Sequence, residues 1–167
     1  WQGVAHCAVF SDNGQYFMAH QGRPGVDKYY MVMHVRKIFW MPDGWPVGSP
    51  ERFANVEQTT IAVSDLPGQW EQIVLGYQVV PGYAAEQISP NMQEAVTITL
   101  NADGKINGDA NNTWTFTAPW LELKWGGGTF IDKVHVSRER DWENKKTSIL
   151  IFTGLNNQGT AIWGKKK

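Results

Sequence analysis

The chain shows no amphipathic helix of useful length. What recurs is a series of short segments that alternate apolar and polar residues, separated by turn dipeptides. "WLELKW" is the clearest case. Leu121, Leu123 and Trp125 fall on one face of an extended strand, and Trp120, Glu122 and Lys124 on the other. Asn13-Gly14 in "SDNG" and Asp43-Gly44 in "MPDG" are strong hairpin signals, because a tight β-turn needs residues that tolerate positive φ. "NADG" makes a tight turn between "TITL" and "KING". A chain punctuated in this way is all-β. Its 167 residues, 42% of them apolar, suffice for one domain with a sizeable core or for two small ones.

The texture changes near residue 55. Residues 4–50 predict four strands, within "VAHCAVF", "QYFMAH", "YYMVMHVRKIFW" and "WPVGSP", joined as an antiparallel meander. "AHCAVF" is small or apolar on both alternating faces, and "MVMHVRKIFW" has no fully polar face before Arg36 and Lys37. A free four-stranded sheet needs one wet face. This one is expected to be buried on both, as a propeller blade lies between its neighbours. From about Gln58, eight segments predict a closed or nearly closed up-and-down barrel, lipocalin-like in plan. They are "TTIAVS", "QWEQIVLGYQVV", "AVTITL", "TWTFTA", "WLELKW", "FIDKVHVS", "TSILIFTG" and "TAIWGK". Ile61, Val63, Leu121, Leu123, Val134, Val136, Ile149 and Ile151 are expected to face inward. The expected fold is therefore all-β: one antiparallel propeller-type blade (1–55) followed by a lipocalin-like up-and-down β-barrel (56–167).

Charge and composition narrow the function. A net charge of −1 argues against electrostatic capture of nucleic acid or of an anionic membrane. No apolar run approaches the length of a membrane span. The single cysteine, Cys7, cannot form an intramolecular disulfide, and within "AHCAVF" it reads as a small buried hydrophobe. The "GKKK" ending reads as a solvated tail. Nine tryptophans lean toward carbohydrate handling, where indole faces stack on sugar rings, although most of the rings should belong to the core. Among the 16 acidic residues, most lie in turns, including Asp12, Asp43, Asp65, Asp103 and Asp109. Glu51, beside Arg52, reads as solvated or ion-paired, and Glu71 and Glu122 sit on polar strand faces. No pair stands as an evident general acid and base. "WGGGTF" lacks the features of a phosphate loop, and His34 and His135 read as structural.

Two stretches carry more specific information. "AHCAVFSDNGQYFMAHQGRP" and "MHVRKIFWMPDGWPVGSPERFA" resemble the end of the catalytic propeller in family 43 glycoside hydrolases, of the secreted endo-α-1,5-L-arabinanase type. "WEN…ILIFTGLNNQGTAIWGKK" resembles the end of the β-barrel that follows it. The resemblance implies the last blade of a five-bladed propeller plus a C-terminal barrel. It places the carboxylates of an inverting hydrolase upstream of Trp1, so that no catalytic residue lies in this chain. It also implies that His6 points into the propeller cavity and contributes to a calcium or similar metal site, largely completed by water, in the complete enzyme only. Ala5 stands where the motif has glycine. His20 and Arg23 of "HQGRP" are candidate substrate-binding residues, against the plainer reading of a loop held by arginine hydrogen bonds. The implied partners are plant cell-wall arabinan and either an upstream propeller segment or a second copy of the chain in a homo-oligomer. The implied location is outside a bacterial cell, secreted or on the surface. The alternative is a non-catalytic carbohydrate-binding β-barrel module for plant cell-wall polysaccharide.

Overall fold

Asn13 and Gly14 both take positive φ, 49° and 78°, as the mirror-image hairpin turn requires. They join strand β1 (Gln2–Asp12) to β2 (Gln15–Arg23) in a computed structural model that describes residues 2–23, 29–76 and 94–167. β3 (Val32–Trp40) and β4 (Pro46–Gly48) complete a four-stranded antiparallel sheet in the order β1-β2-β3-β4. The remaining strands are β5 (Gly68–Val74), β6 (Val96–Leu100), β7 (Lys105–Ile106), β8 (Asp109–Thr117), β9 (Trp120–Trp125), β10 (Phe130–Asp141), β11 (Lys146–Asn156) and β12 (Ala161–Lys166). Each pairs antiparallel with the next, and β12 pairs back onto β5, closing an eight-stranded up-and-down barrel. The all-β fold, with a blade-type sheet followed by a lipocalin-like barrel, is as expected.

One strand differs. "TTIAVS" is irregular apart from a single 3-10 turn at Val63–Asp65, and the eighth place in the barrel goes to the two-residue β7 within "KING". The end of "QWEQIVLGYQVV", from residue 77, lies outside the described residues. Leu121, Leu123, Val134 and Val136 are buried in the barrel core, with Ile61 packed at its edge, whereas Val63 is exposed. Ile149 and Ile151 are buried, but they face away from the barrel interior, which takes Leu150 and Phe152 instead. The reason is physical. β11 has Ile149, Ile151 and Thr153 on its outer face against the four-stranded sheet, so both faces are apolar and alternation does not distinguish inside from outside.

β1 departs from expectation in the opposite sense. Residues 4–12 are exposed, Cys7 included, because β1 pairs with β2 alone and no other described residue covers its faces. Val4, Val9 and Phe10 stand in solvent, together with Tyr16 and Met33 of the neighbouring strands.

Two glycines are required by close packing. The Phe152 ring lies on Gly164, where an added Cβ would come within 2.2 Å of the ring, and it sits 5.1 Å from the Trp70 ring. At Gly154 a Cβ would fall 2.1 Å from the Lys133 carbonyl oxygen and 2.6 Å from the Val134 Cα. A ring can move, but a paired backbone strand cannot. Gly154→Ala is therefore expected to lower stability by about 3 kcal/mol or more, and by more than Gly164→Ala. Urea unfolding of both variants checks this, and an unchanged midpoint for Gly154→Ala contradicts it.

Candidate functional site

β3 carries a row of polar side chains toward the barrel, and these build the junction between the two sheets. Arg36 Nε donates to His20 Nε2 at 3.0 Å, and its Nη1 donates to the carbonyls of Ser49 (3.1 Å) and Pro50. The same guanidinium lies 5.5 Å from the ring of Trp163 on β12. The Gly48 carbonyl accepts from Thr153 Oγ1 at 2.7 Å and from Trp163 Nε1 at 3.0 Å. Lys37 and Glu139, both buried, pair at 3.2 Å. Burial pushes the Glu139 carboxyl up, against the pull of Lys37. Phe39 stacks on His135 at 4.4 Å. Burial, and then Lys37, lower His135 to about 4, so it is neutral at pH 7. His34 is lowered to about 4 in the same way, by burial first and then by Arg36 and His20. Both histidines thus behave as the structural groups expected from the sequence.

Beside this junction lies an acidic cluster. One oxygen from each of Glu51, Asp141 and Glu143 lies within 4.8 Å of the other two. The Lys165 ammonium sits 3.5 Å from Glu51 and 3.2 Å from Asp141 and also contacts Glu143. It supplies the positive charge that three carboxylates need. Burial, and then the Glu143 charge, raise Glu51 from 4.5 to about 7. Burial opposes ionisation of Asp141 too, but hydrogen bonds from Asn144 and Lys165 outweigh it and hold that carboxyl below the usual range. Lys165 is held above its ordinary value despite burial, by Glu143, Glu51 and Asp141. Glu51 is thus ion-paired but buried. The basic ending is docked: Lys166 Nζ donates to the Asp65 carbonyl, and Lys167 Nζ to Thr97 Oγ1 at 2.9 Å. The reading of "GKKK" as a solvated tail does not hold for Lys165 and Lys166, which the last strand carries along the barrel wall, whereas Lys167 is exposed.

The residues singled out from the sequence lie at one end of the sheet. The β1–β2 pairing sets Ala5 against Gln21 and Ala8 against Ala19, so His6 and Cys7 bulge opposite His20. His6 takes a φ of 52° and is exposed. His20 is buried, donates from Nδ1 to the Gln21 carbonyl at 3.1 Å, and accepts from Arg36 at Nε2. Its ring lies 5.0 Å from that of His34. Both of its nitrogens are therefore engaged within the sheet. Arg23 ends β2 and is half-buried. For calcium, which takes six to eight oxygens, one exposed imidazole on an edge strand is a poor fit. Among the described residues the only His, Cys, Asp and Glu group close enough to share an ion is the Lys165-filled one. The chain's own residues do not build a calcium site around His6.

One buried carboxylate has no counterpart among the residues picked from the sequence. Asp132 occupies an inward position of β10, and its Oδ2 accepts from Trp125 Nε1 at 2.8 Å and from Gln72 Nε2 at 3.0 Å. Burial raises its pKa, against these two hydrogen bonds. The signal was present in "FIDKVHVS", where alternation puts an acid in register with Val134 and Val136.

The GH43_C family, the C-terminal lipocalin-like domain of family 43 glycoside hydrolases, matches residues 50–164. The chain belongs to this family. It is homologous to the extracellular endo-α-(1→5)-L-arabinanase of Thermotoga petrophila, 31% identical over 92% of this chain and 31% of that protein. It is likewise homologous to extracellular endo-α-(1→5)-L-arabinanase 2 of Bacillus subtilis, 27% identical over 90% of this chain and 30% of that one. The chain thus spans about a third of the length of these curated relatives. Among solved structures it resembles the Thermotoga petrophila endo-1,5-α-L-arabinanase, with a TM-score of 0.80, 27% identity and 98% of this chain covered against 36% of that one. It also resembles a family 43 glycoside hydrolase of Bacillus licheniformis, with a TM-score of 0.76, 26% identity and 98% against 35% covered.

The Glu51 environment yields a signed pH dependence. A carboxyl raised from 4.5 to about 7 in the folded state favours folding at low pH, and that contribution is lost as pH rises from 4.5 through about 7. The two lowered histidines act oppositely over about pH 4 to 6.5, so the whole-protein curve mixes the two effects. The difference between Glu51→Gln and wild type isolates the carboxyl. The Tm difference is expected to move in favour of the variant, by roughly 2–4 °C, between about pH 5 and about pH 8. A difference that stays constant across that range contradicts the account.

Proposed function

We propose that this chain is the C-terminal part of a secreted, arabinan-degrading family 43 hydrolase. On this reading residues 1–55 are the last blade of the catalytic five-bladed propeller, and residues 56–167 are the barrel fastened to it. The observation that carries the reading is the exposed edge strand β1, which leaves Val4, Val9 and Phe10 in solvent. Apolar residues on an open strand edge mark a surface made to be covered. The matches to both arabinanases support it, since they run over 90–92% of the chain and thus beyond the family domain into the four-stranded sheet. A preceding propeller segment, or a second copy of the chain, is the proposed cover. On this reading the acid and base carboxylates lie outside this chain, in the part of the enzyme that corresponds to the two thirds of the relatives it does not match. The relatives, which are named extracellular, support secretion. No helix among the described residues is long and apolar enough to cross a membrane. His6 would bind calcium only together with groups from other blades, and His20 and Arg23 would stand behind it near the arabinan cleft.

The test joins this chain to the catalytic segment of the Thermotoga petrophila arabinanase, in place of that enzyme's own C-terminal third. Release of reducing sugar from linear arabinan is then measured. The chain alone should release none, and the fusion should be active. In the fusion, His6→Ala should lower both metal content and turnover, and His6→Gln should lower them less. A folded but inactive fusion contradicts the reading. So does hydrolysis by the chain alone that is abolished by changing Glu51, Glu71 or Glu122. Full metal content and full rate in His6→Ala would reduce His6 to a packing residue.

A further inference from the structure

The described residues do not fill the barrel interior along its whole length. Around Trp70, Leu121 and Phe152 it is closely packed and apolar. Toward the β9–β10 turn the inward positions become Gln72, Trp125, Phe130, Asp132 and Asn156, and they border a cavity of about 460 Å³. That size falls within the range of small-molecule sites.

The lining has a definite chemistry. Asp132 is 3% exposed. Both of the hydrogen bonds it receives from described residues fall on Oδ2, from the Trp125 indole and the Gln72 amide. These two donors hold the carboxylate in one orientation and leave Oδ1 without a donor among the described residues, beside the cavity. A carboxylate oxygen has room for about two donors. Oδ1 is not among the fully buried side-chain atoms that lack a partner, so it is open to a donor that enters the cavity. Among the described lining residues there is no Lys, Arg or His, so an anion would find no counter-charge. The amides of Asn107 and Asn156 offer both donors and acceptors, and Phe130, at the rim, offers an aromatic face. A hydroxyl can donate to Asp132 and accept from an amide with the same oxygen, which an ammonium cannot do. Apolar walls suit the C–H faces of a sugar ring.

We propose that the mouth of the barrel is a carbohydrate-binding site. Asp132 accepts a sugar hydroxyl at Oδ1, Trp125 and Gln72 orient that carboxylate, and Phe130 packs against the ring. None of the residues lining the site belongs to the four-stranded sheet, so the same chain would hold polysaccharide independently of its cleavage. The choice of an arabino-oligosaccharide as the first probe rests on the function proposed above, whereas the carbohydrate class does not.

The test is calorimetric titration of the full 167-residue chain with arabinotriose, xylotriose and cellotriose, and with propylamine as a cationic probe. At least one trisaccharide should bind saturably. Asp132→Asn should weaken that binding roughly tenfold or more, since a charged acceptor is lost. Phe130→Ala, at a rim position that tolerates truncation, should weaken it severalfold. Glu122→Gln, on the outer wall, should bind as wild type. Thermal melts of each variant separate lost binding from lost folding. If no trisaccharide binds, if propylamine binds in their place, or if Asp132→Asn and Phe130→Ala bind as tightly as wild type, the proposal is overturned. Binding of xylotriose or cellotriose alone would uphold the site and count against arabinan as its ligand. Failure of the fusion enzyme on arabinan leaves these outcomes unaffected, so the two readings fail separately.

Discussion

Strand β11 is buried on both faces, and the rest of the molecule is arranged around that constraint. Its inner face sends Leu150 and Phe152 into the barrel, and Phe152 fits only because Gly164 leaves its ring room. Its outer face is covered by the four-stranded sheet, where Thr153 donates to the Gly48 carbonyl and the neighbouring Trp163 donates to the same oxygen. The Lys37–Glu139 pair alongside them is buried. A pair of this kind contributes little net stability, since desolvation offsets its attraction, but breaking it strands a charge. A docking that parted the two would leave both buried without their partner.

The connection between the sheets is itself bonded to the barrel. Gln58 donates to the Arg138 carbonyl at 2.7 Å and accepts from the Arg138 N–H at 3.0 Å, as a strand partner would. Trp142 Nε1 donates to the Arg52 carbonyl, and its ring lies 4.6 Å from the guanidinium of Arg52 and of Arg140. The passage from sheet to barrel is therefore a packed element and not a loose linker. On the proposed reading this matters for function. A barrel fixed to the last blade would hold that blade in place at the closure of a propeller, and a sugar held at the barrel mouth would be carried at a set distance from the cleft.

Much of this was legible in the residues, and the exceptions have identifiable causes. The Asn13-Gly14 turn and the alternation of "WLELKW" state their conformation locally, and both stand as expected. Ile149 and Ile151 were assigned to the wrong face because a strand covered on both sides loses its period-2 signature. "TTIAVS" is β-branched and apolar yet forms no strand. β12 pairs directly with β5, where such a strand would have stood, and Gln58, which precedes the segment, is already bonded to Arg138. Cys7 looked buried because its segment is apolar, yet apolarity records what a strand is built to touch, and among the described residues β1 pairs only with β2. Asp132 could have been found, since an acid at an inward position breaks the local pattern, and such breaks gather at functional sites. The Glu51–Asp141–Glu143–Lys165 cluster could not, because Glu51, the Asp141–Glu143 pair and Lys165 are far apart in the chain and meet only in the folded structure.

The central claim is that the four-stranded sheet is the closing blade of a larger propeller. The most direct measurement is amide hydrogen exchange along β1, compared between the chain alone and the chain joined to the arabinanase catalytic segment. The account predicts fast exchange at the β1 amides not bonded to β2 in the isolated chain, and strong protection of the same amides in the joined protein. The barrel strands should exchange alike in both. Equal exchange along β1 in the two proteins, with the joined protein folded, would contradict it.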